Sequence, residues 1–287
     1  MLEHLARPLS RLWNGTSSLM DDVYRRLGRP GKLFQDFLNG AWLGHSLHPV
    51  VVDVVVGGAT AALLLQVLMW VGVADLRVAL LWVLGLTWLA GISAIVTGLT
   101  DFKDTASGDE RNVVGLHGLI NIAATVLFVV AFMALLADAD VIAGWLLAIG
   151  YLVLSVGAFI GGHVVFKYGY MVNHNAFARG KKAREFTAVL PAAELPEATP
   201  TKGALGATTL VLVRRGDLVL ALKETCSHAG GPLSEGKLVG DTIVCPWHAS
   251  AFRLSDGAVR HGPASTRQVA YRARINADQV EVQGPIE

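Results

Sequence analysis

The chain has 287 residues, a formal net charge of +1, 53% hydrophobic residues and a mean hydropathy of +0.48. That balance excludes an ordinary soluble globule of this length and supplies no basic excess for binding nucleic acid. The length allows about two domains, and the apolar excess, gathered between residues 49 and 166, places them in different solvents.

Residues 1–47 read as an N-terminal cytoplasmic or interfacial segment without a core of its own. Leu33, Phe34, Phe37, Leu38, Ala41 and Trp42 recur at helical spacing beside Lys32, Gln35 and Asp36. The pattern fits either a helix lying in the membrane interface or an amphipathic cap packed on a helical bundle.

Four apolar runs come next, at 50–73, 78–99, 113–137 and 141–166. Each has about twenty residues or more, enough to cross about 30 Å of hydrocarbon at about 1.5 Å per residue. Asp53 is the sole Asp, Glu, Lys or Arg inside them. The expectation is a four-helix transmembrane domain over 48–170, alternating up and down because its loops are short. Arg7, Arg11, Arg25, Arg26, Arg29, Lys32, Lys103, Arg111, Lys167 and the run at 179–184 share one side, against Arg77 on the other. Both termini are therefore expected in the cytoplasm of a bacterial-type cell, with membrane lipid around the helices.

Polar residues collect toward that same side. Spacings of four suggest three facing stripes: Ser93, Thr97 and Asp101; His117, Asn121 and Thr125; Ser155, Phe159 and His163. Ionisable groups in a span are functional hypotheses by default, so His48, Asp53, Asp101, His117, Asn121 and His163 form a candidate membrane site. Three readings stand open. His117 and His163, with His48 as the alternate, would ligate a haem b; the same set would bind a quinone or a divalent metal; or the residues form a structural polar network. Gly57, Gly58, Gly91, Gly161 and Gly162 are expected at close helix contacts, and His174 as an ordinary interfacial residue.

Residues 171–203 read as a basic segment and a semi-extended linker, with Pro191, Pro196 and Pro200 among many alanines. From 204 to 287 short strands with glycine-rich turns indicate a small all-β antiparallel barrel, with hairpins around 214–216 and 276–278. Gly230, Gly231, Pro232, Gly262 and Pro263 read as turn formers.

Within this last part stand Cys226-Ser227-His228 and Cys245-Pro246-Trp247-His248. Two loops that each offer one thiolate and one imidazole suit a [2Fe–2S] cluster with two sulfur ligands on one iron and two nitrogens on the other. The candidate ligands are Cys226, His228, Cys245 and His248. The alternatives are a zinc site, which usually draws its cysteines from one loop and its histidines from another, and a disulfide between the two cysteines of the chain, which leaves the histidines unexplained.

These residues resemble the Rieske iron–sulfur family, closest to its ferredoxin and oxygenase branch. The pattern C-x-H…C-P-x-H falls on Cys226, His228, Cys245, Pro246 and His248. The respiratory branch carries a further cysteine in each loop, forming a bracing disulfide; here Gly231 and Trp247 stand in those places. The resemblance implies that Ser250 bonds a cluster sulfide, that Trp247, Gly230 and Pro232 surround the cluster, and that His228 and His248 present outward imidazole edges for electron exit. Phe252 replaces the high-potential tyrosine and Ala249 the usual glycine, which implies an intermediate or low potential.

The helical part resembles a family of bacterial four-helix membrane domains of unknown function, sometimes fused to Rieske domains. His45-Ser46-Leu47-His48-Pro49, Thr97-Gly98-Leu99-Thr100-Asp101 and His117 carry that likeness. The leading expectation is a membrane-anchored electron carrier serving a redox partner protein. A quinone-linked or haem-containing oxidoreductase and an iron–sulfur sensor are alternatives, and a homo-oligomer is left open. A Rieske oxygenase would need a large domain for mononuclear iron, for which the chain has no room.

Overall fold

The computed structural model describes residues 2–177 and 183–286. It divides into two compact units, Met1–Gly31 with Ser46–Tyr168, and Lys32–His45 with Gly169–Glu287. Most of the basic run at 179–184 lies outside the described residues.

The first unit opens with α1 (Leu2–Ala6), a 3-10 turn (Arg7–Leu9) and α2 (Ser10–Leu38), of which residues 32–38 are counted with the second unit. α2 is interrupted at Gly28, whose φ of 59° and ψ of −134° are not helical. The N-terminal stretch buries Ala6, Trp13 and Tyr24 against neighbouring helices. The Trp13 ring meets Phe102 edge-on at 6.4 Å, the Tyr24 hydroxyl lies 2.6 Å from that of Thr100, and Ser17 donates to the Lys103 carbonyl at 2.9 Å. Residues 2–31 thus pack on the helices of this unit, whereas the amphipathic pattern at 32–42 falls in the second unit.

Four more helices complete the unit: α3 (Leu47–Trp70), α4 (Arg77–Phe102), α5 (Asp109–Leu136) and α6 (Asp140–Tyr168). Among the described residues these four are long and apolar enough to cross a membrane, and the chain is a multi-pass membrane protein. Most run several residues past the apolar stretches, because a helix continues where hydrocarbon ends. Ser46 starts α3 by accepting the His48 N–H at 3.2 Å while its hydroxyl donates to Asp101 at 2.6 Å. α3 neighbours α4 and α6, and α5 neighbours the same two, so α3 and α5 lie on a diagonal. Leu80, Leu84, Phe128, Leu135 and Leu147 fill the interior, with Ala59, Ala62, Ala124 and Ala131 allowing close approach. Outward stand Trp82, Phe159, Trp145 and Phe166, all well exposed, a surface that water would not tolerate and lipid would.

Two of the three expected polar stripes are broken, the first with Thr97 and Asp101 buried but Ser93 exposed. Ser93 and Ser155 are exposed and return their hydroxyls to Leu89 and Tyr151 carbonyls one turn back, and Phe159 is exposed beside them. A hydroxyl satisfied by its own helix has no need of the bundle interior. Gly57 and Gly162 have no neighbour within 4 Å of a Cβ position, whereas Gly58, Gly91 and Gly161 do make close contacts.

The second unit is antiparallel throughout its two sheets. β1 (Ala183–Pro191), β2 (Thr201–Leu205), β3 (Thr208–Arg215), β4 (Leu218–Lys223), β9 (Ala270–Asn276) and β10 (Gln279–Gly284) form one sheet, in the order β1-β10-β9-β4-β3-β2. It curls until its edges approach, a Cβ on Gly203 of β2 falling 3.3 Å from Leu190 of β1. The expected linker at 185–203 is thus corrected: β1 and β2 occupy it. The β9–β10 hairpin turns through Ala277 and Asp278, both at positive φ, as a two-residue turn requires.

The second sheet is β5 (Lys237–Val239), β6 (Thr242–Val244), β7 (Ala251–Arg253) and β8 (Val259–His261), paired in that order. One long loop leads into β5 and a short one joins β6 to β7, and these are the two motif loops. Residues 32–45 also belong to this unit. Asp36 accepts from the Gly262 N–H at 3.1 Å and lies 2.6 Å from His261, while Leu33, Phe34, Phe37 and Trp42 are exposed.

Candidate metal centre

Each motif loop is closed by its own backbone before any side chain is counted. In the first, the Cys226 N–H donates to the Gly231 carbonyl at 2.9 Å and the Gly230 N–H to the Cys226 carbonyl at 3.0 Å, with Gly230 at a φ of 79°. In the second, the Cys245 N–H donates to Ser250 at 2.8 Å and the Ala249 N–H back to Cys245 at 3.1 Å. Ala249 takes a φ of 58°, the left-handed region that explains why a glycine is usual there.

The loops bring the four candidate donors together in like pairs. Cys226 and Cys245 are free thiols, both buried in one apolar cluster with Phe252, Ile243 and Leu233. The His228 and His248 rings lie 5.1 Å apart, nearly perpendicular. A hydrogen bond from Cys226 pulls the Cys245 thiol down to about 7, helped by the N–H groups of Trp247 and His248, while the same pairing and burial push Cys226 up. Two sulfurs close enough to share a proton, each with main-chain N–H groups directed at it, are a cradle for anionic sulfur. Among the described residues no three of His, Cys, Asp and Glu gather around one point, as a single tetrahedral ion would need. The pairing of thiol with thiol and imidazole with imidazole is compatible with two irons ligated in pairs.

Among the residues around the two loops, His228 departs from its expected exposure. Gly231 is a tight spot: a Cβ there would stand 2.8 Å from the Cys245 sulfur and 3.0 Å from the Trp247 ring. Ser250 is fully buried and accepts the Ala264 N–H at 3.1 Å, which leaves its own proton to give away. Trp247 is 57% exposed, its ring 6.5 Å from that of His248.

His228, expected to face outward, is only 8% exposed. The stretch 169–177 lies over its loop, leaving a small hollow lined by Met171, Asn173, Ser227 and Thr266 beside the ring. His174, expected at the membrane interface, donates its N–H to the Ser227 carbonyl at 3.1 Å. The Asn175 amide donates to Thr225 at 3.0 Å and to Gln268 at 3.1 Å. Gln268, wholly buried, accepts from the Ser227 N–H at 3.1 Å and donates to the Lys223 and Thr225 carbonyls at 2.5 and 2.6 Å. No motif in the sequence announces this lock.

The candidate membrane site is rearranged. Asp53 is exposed on α3, since five residues after His48 turn it about 140° round the helix. Asp101 is engaged by Ser46 at the start of α3. His163 lies 4.0 Å from Glu3 and 6.0 Å from the Tyr168 ring, so it is turned to the N-terminal segment. The ring opposite His117 is instead that of His48, at 6.5 Å, and the Asn121 amide donates to the His117 carbonyl at 2.7 Å.

Comparison with known proteins divides the chain similarly. Residues 185–274 match the Rieske [2Fe-2S] domain, and residues 44–174 match a family described as a predicted membrane protein (DUF2231). The ferredoxin CarAc of Metapseudomonas resinovorans is 35% identical over 80 residues, which are 28% of this chain and 75% of that protein. The anthranilate 1,2-dioxygenase ferredoxin subunit of Burkholderia cepacia is 32% identical over 89 residues, 31% of this chain and 82% of that one. Among solved structures, the complex of reduced oxygenase and oxidized ferredoxin in carbazole 1,9a-dioxygenase has a chain matched at 30% identity, over 36% of this chain and 95% of that chain, with a TM-score of 0.33.

Proposed function

This chain belongs to the Rieske [2Fe–2S] family, and on that premise we propose that it is a membrane-anchored one-electron carrier whose cluster is held on the cytoplasmic side by Cys226, Cys245, His228 and His248. The convergence of two free, buried thiols with two imidazoles 5.1 Å apart carries the reading. When bound, the cluster supplies storage for a single electron.

The residues of the chain do the rest. Cys226 and Cys245 occupy the dry side of the site, where burial excludes water and main-chain N–H groups stabilise negative sulfur. Ser250, with its oxygen engaged by Ala264, has its hydroxyl proton available to an inorganic sulfide, an interaction that raises a potential. His248, beside exposed Pro246 and Trp247, offers the route outward, whereas His228 is covered. A soluble redox protein would dock on the Trp247 face. The excess of Lys and Arg at the cytoplasmic loops and ends supports the orientation.

Purified full-length protein in detergent, reduced with dithionite, should give a Rieske electron-spin signal and contain iron and sulfide. Zinc in place of iron, with no signal, would overturn the assignment. Trp247→Ala should leave that signal in place and slow reduction by a flavoprotein ferredoxin reductase. Protease added to inside-out vesicles should cleave the cluster unit, and protection there would reverse the orientation.

A further inference from the structure

We propose that the membrane unit binds a haem b with His48 and His117 as its two axial ligands. The two rings come from diagonal helices, α3 and α5, and their centres are 6.5 Å apart with planes at 82°. Two imidazoles on opposite sides of one metal, at about 2 Å per metal–nitrogen bond, put their ring centres about 6 Å apart.

A backbone carbonyl faces Nδ1 of each ring. His48 Nδ1 lies 3.0 Å from the Ala94 carbonyl on α4, and His117 Nδ1 lies 2.9 Å from the Gly157 carbonyl on α6. A carbonyl oxygen accepts only, so these shortest contacts favour the proton on Nδ1 and the lone pair on Nε2; the second neighbours of the Nδ1 atoms are Thr97 Oγ1 at 3.1 Å from His48 and the Asn121 amide nitrogen at 3.2 Å from His117. Anchoring of Nδ1–H on a backbone carbonyl is how ligating histidines are held. Among the described residues no hydrogen bond to either Nε2 is seen.

The arrangement occurs twice. One turn beyond each accepting carbonyl stands a glycine that lets the ring in: a Cβ on Gly98 would fall 2.9 Å from His48, and one on Gly161 would fall 2.8 Å from His117. The α3–α4 and α5–α6 hairpins thus repeat the same device, histidine on the first helix, carbonyl and glycine on the second. Matched features in two halves of a membrane domain point to a site between them.

The chemistry of the pair selects the ligand. A quinone carbonyl needs a donor, and both N–H groups are already engaged. A bare ion would find too few partners, since no three of His, Cys, Asp and Glu gather among the described residues. Haem iron arrives with its own equatorial nitrogens and asks the protein for two axial ligands, and facing helices of a bundle supply such sites.

The test is the optical spectrum of full-length protein made in cells supplied with a haem precursor, with the electron-spin signal of the cluster measured on the same samples. Soret and α bands are expected in wild type and in His163→Gln, lost in His48→Gly and in His117→Gly, and restored by added imidazole. An intact cluster signal with no haem in wild type, or haem retained in either glycine variant, overturns the site and leaves the carrier reading standing. Haem with no cluster signal does the reverse. Should the glycine variants not fold, His117→Met decides: a ligand exchange raises the haem potential, and an unchanged potential overturns the proposal.

Discussion

Gly231→Ala places one methyl group against the cluster site and tests whether the two loops hold the Cys245 sulfur as closely as the structure shows. The new Cβ would stand 2.8 Å from that sulfur and 3.0 Å from two atoms of the Trp247 ring. The exposed indole can swing aside; the sulfur, buried among Phe252, Ile243 and Leu233, cannot. Overpacking of this kind costs about 1–3 kcal/mol. At about 2 kcal/mol, and about 4–8 °C per kcal/mol for a domain of about 100 residues, the cluster should be lost about 8–16 °C earlier. The assay is visible absorbance of the full chain in detergent during heating, together with cluster content as purified. Trp247→Ala added to Gly231→Ala should recover less than half of the loss, because the sulfur contact persists. Gly240→Ala is the control: its φ of 58° costs about 1 kcal/mol of strain, but nothing lies within 4 Å, so cluster content should hold. Normal content and melting in Gly231→Ala would refute the geometry, and full rescue by Trp247→Ala would place the clash on the indole.

Ala249→Gly should raise the temperature of cluster loss, since removing the Cβ at a φ of 58° relieves about 1 kcal/mol; no gain would mean that the loop is unstrained. Gln268→Leu removes its bonds to the Ser227 N–H and to the Lys223 and Thr225 carbonyls, of which Thr225 keeps the Asn175 amide, at about 1–3 kcal/mol for each group left unpaired, and should speed hydrogen exchange in 171–177 and 225–228 together; Asn175→Ala should do the same more weakly, and unchanged exchange in both would remove the lock. Asp256 is held down to about 2 by the hydrogen bond from Arg253. Its folded value lies below its unfolded one, so its contribution is present above about pH 4 and lost as pH falls through about 2. In acid titration Asp256→Asn should remove that dependence, with only a few tenths of a kcal/mol lost at neutral pH because the pair is partly exposed. An undiminished acid transition in the variant would count against the pair.

Much of the architecture could be read from residue spacing because single residues carried it. The two ligand loops are visible as C-x-H and C-x-x-H, and the four spans as apolar length. β1 and β2 were not visible, and the sheet order explains this: both are edge strands, where proline is tolerated, so Pro191 at the end of β1 and Pro200 before β2 mimic a linker. The stripes in the membrane unit misled because spacing of four sets residues in one row but does not say which of them a neighbouring helix covers. Thr97 is buried and Ser93, one turn earlier, is exposed. The partner of His117 could have been sought in the repeated histidine, carbonyl and glycine arrangement, a signal that only becomes meaningful once the helices are paired.

The covering of His228 by 169–177 has a kinetic corollary. A carrier with one open doorway admits a single visitor at a time, so reductant and oxidant must take turns. Raising the reductase concentration at fixed acceptor should first accelerate and then inhibit turnover, and this queueing should disappear in a variant that uncovers the second imidazole.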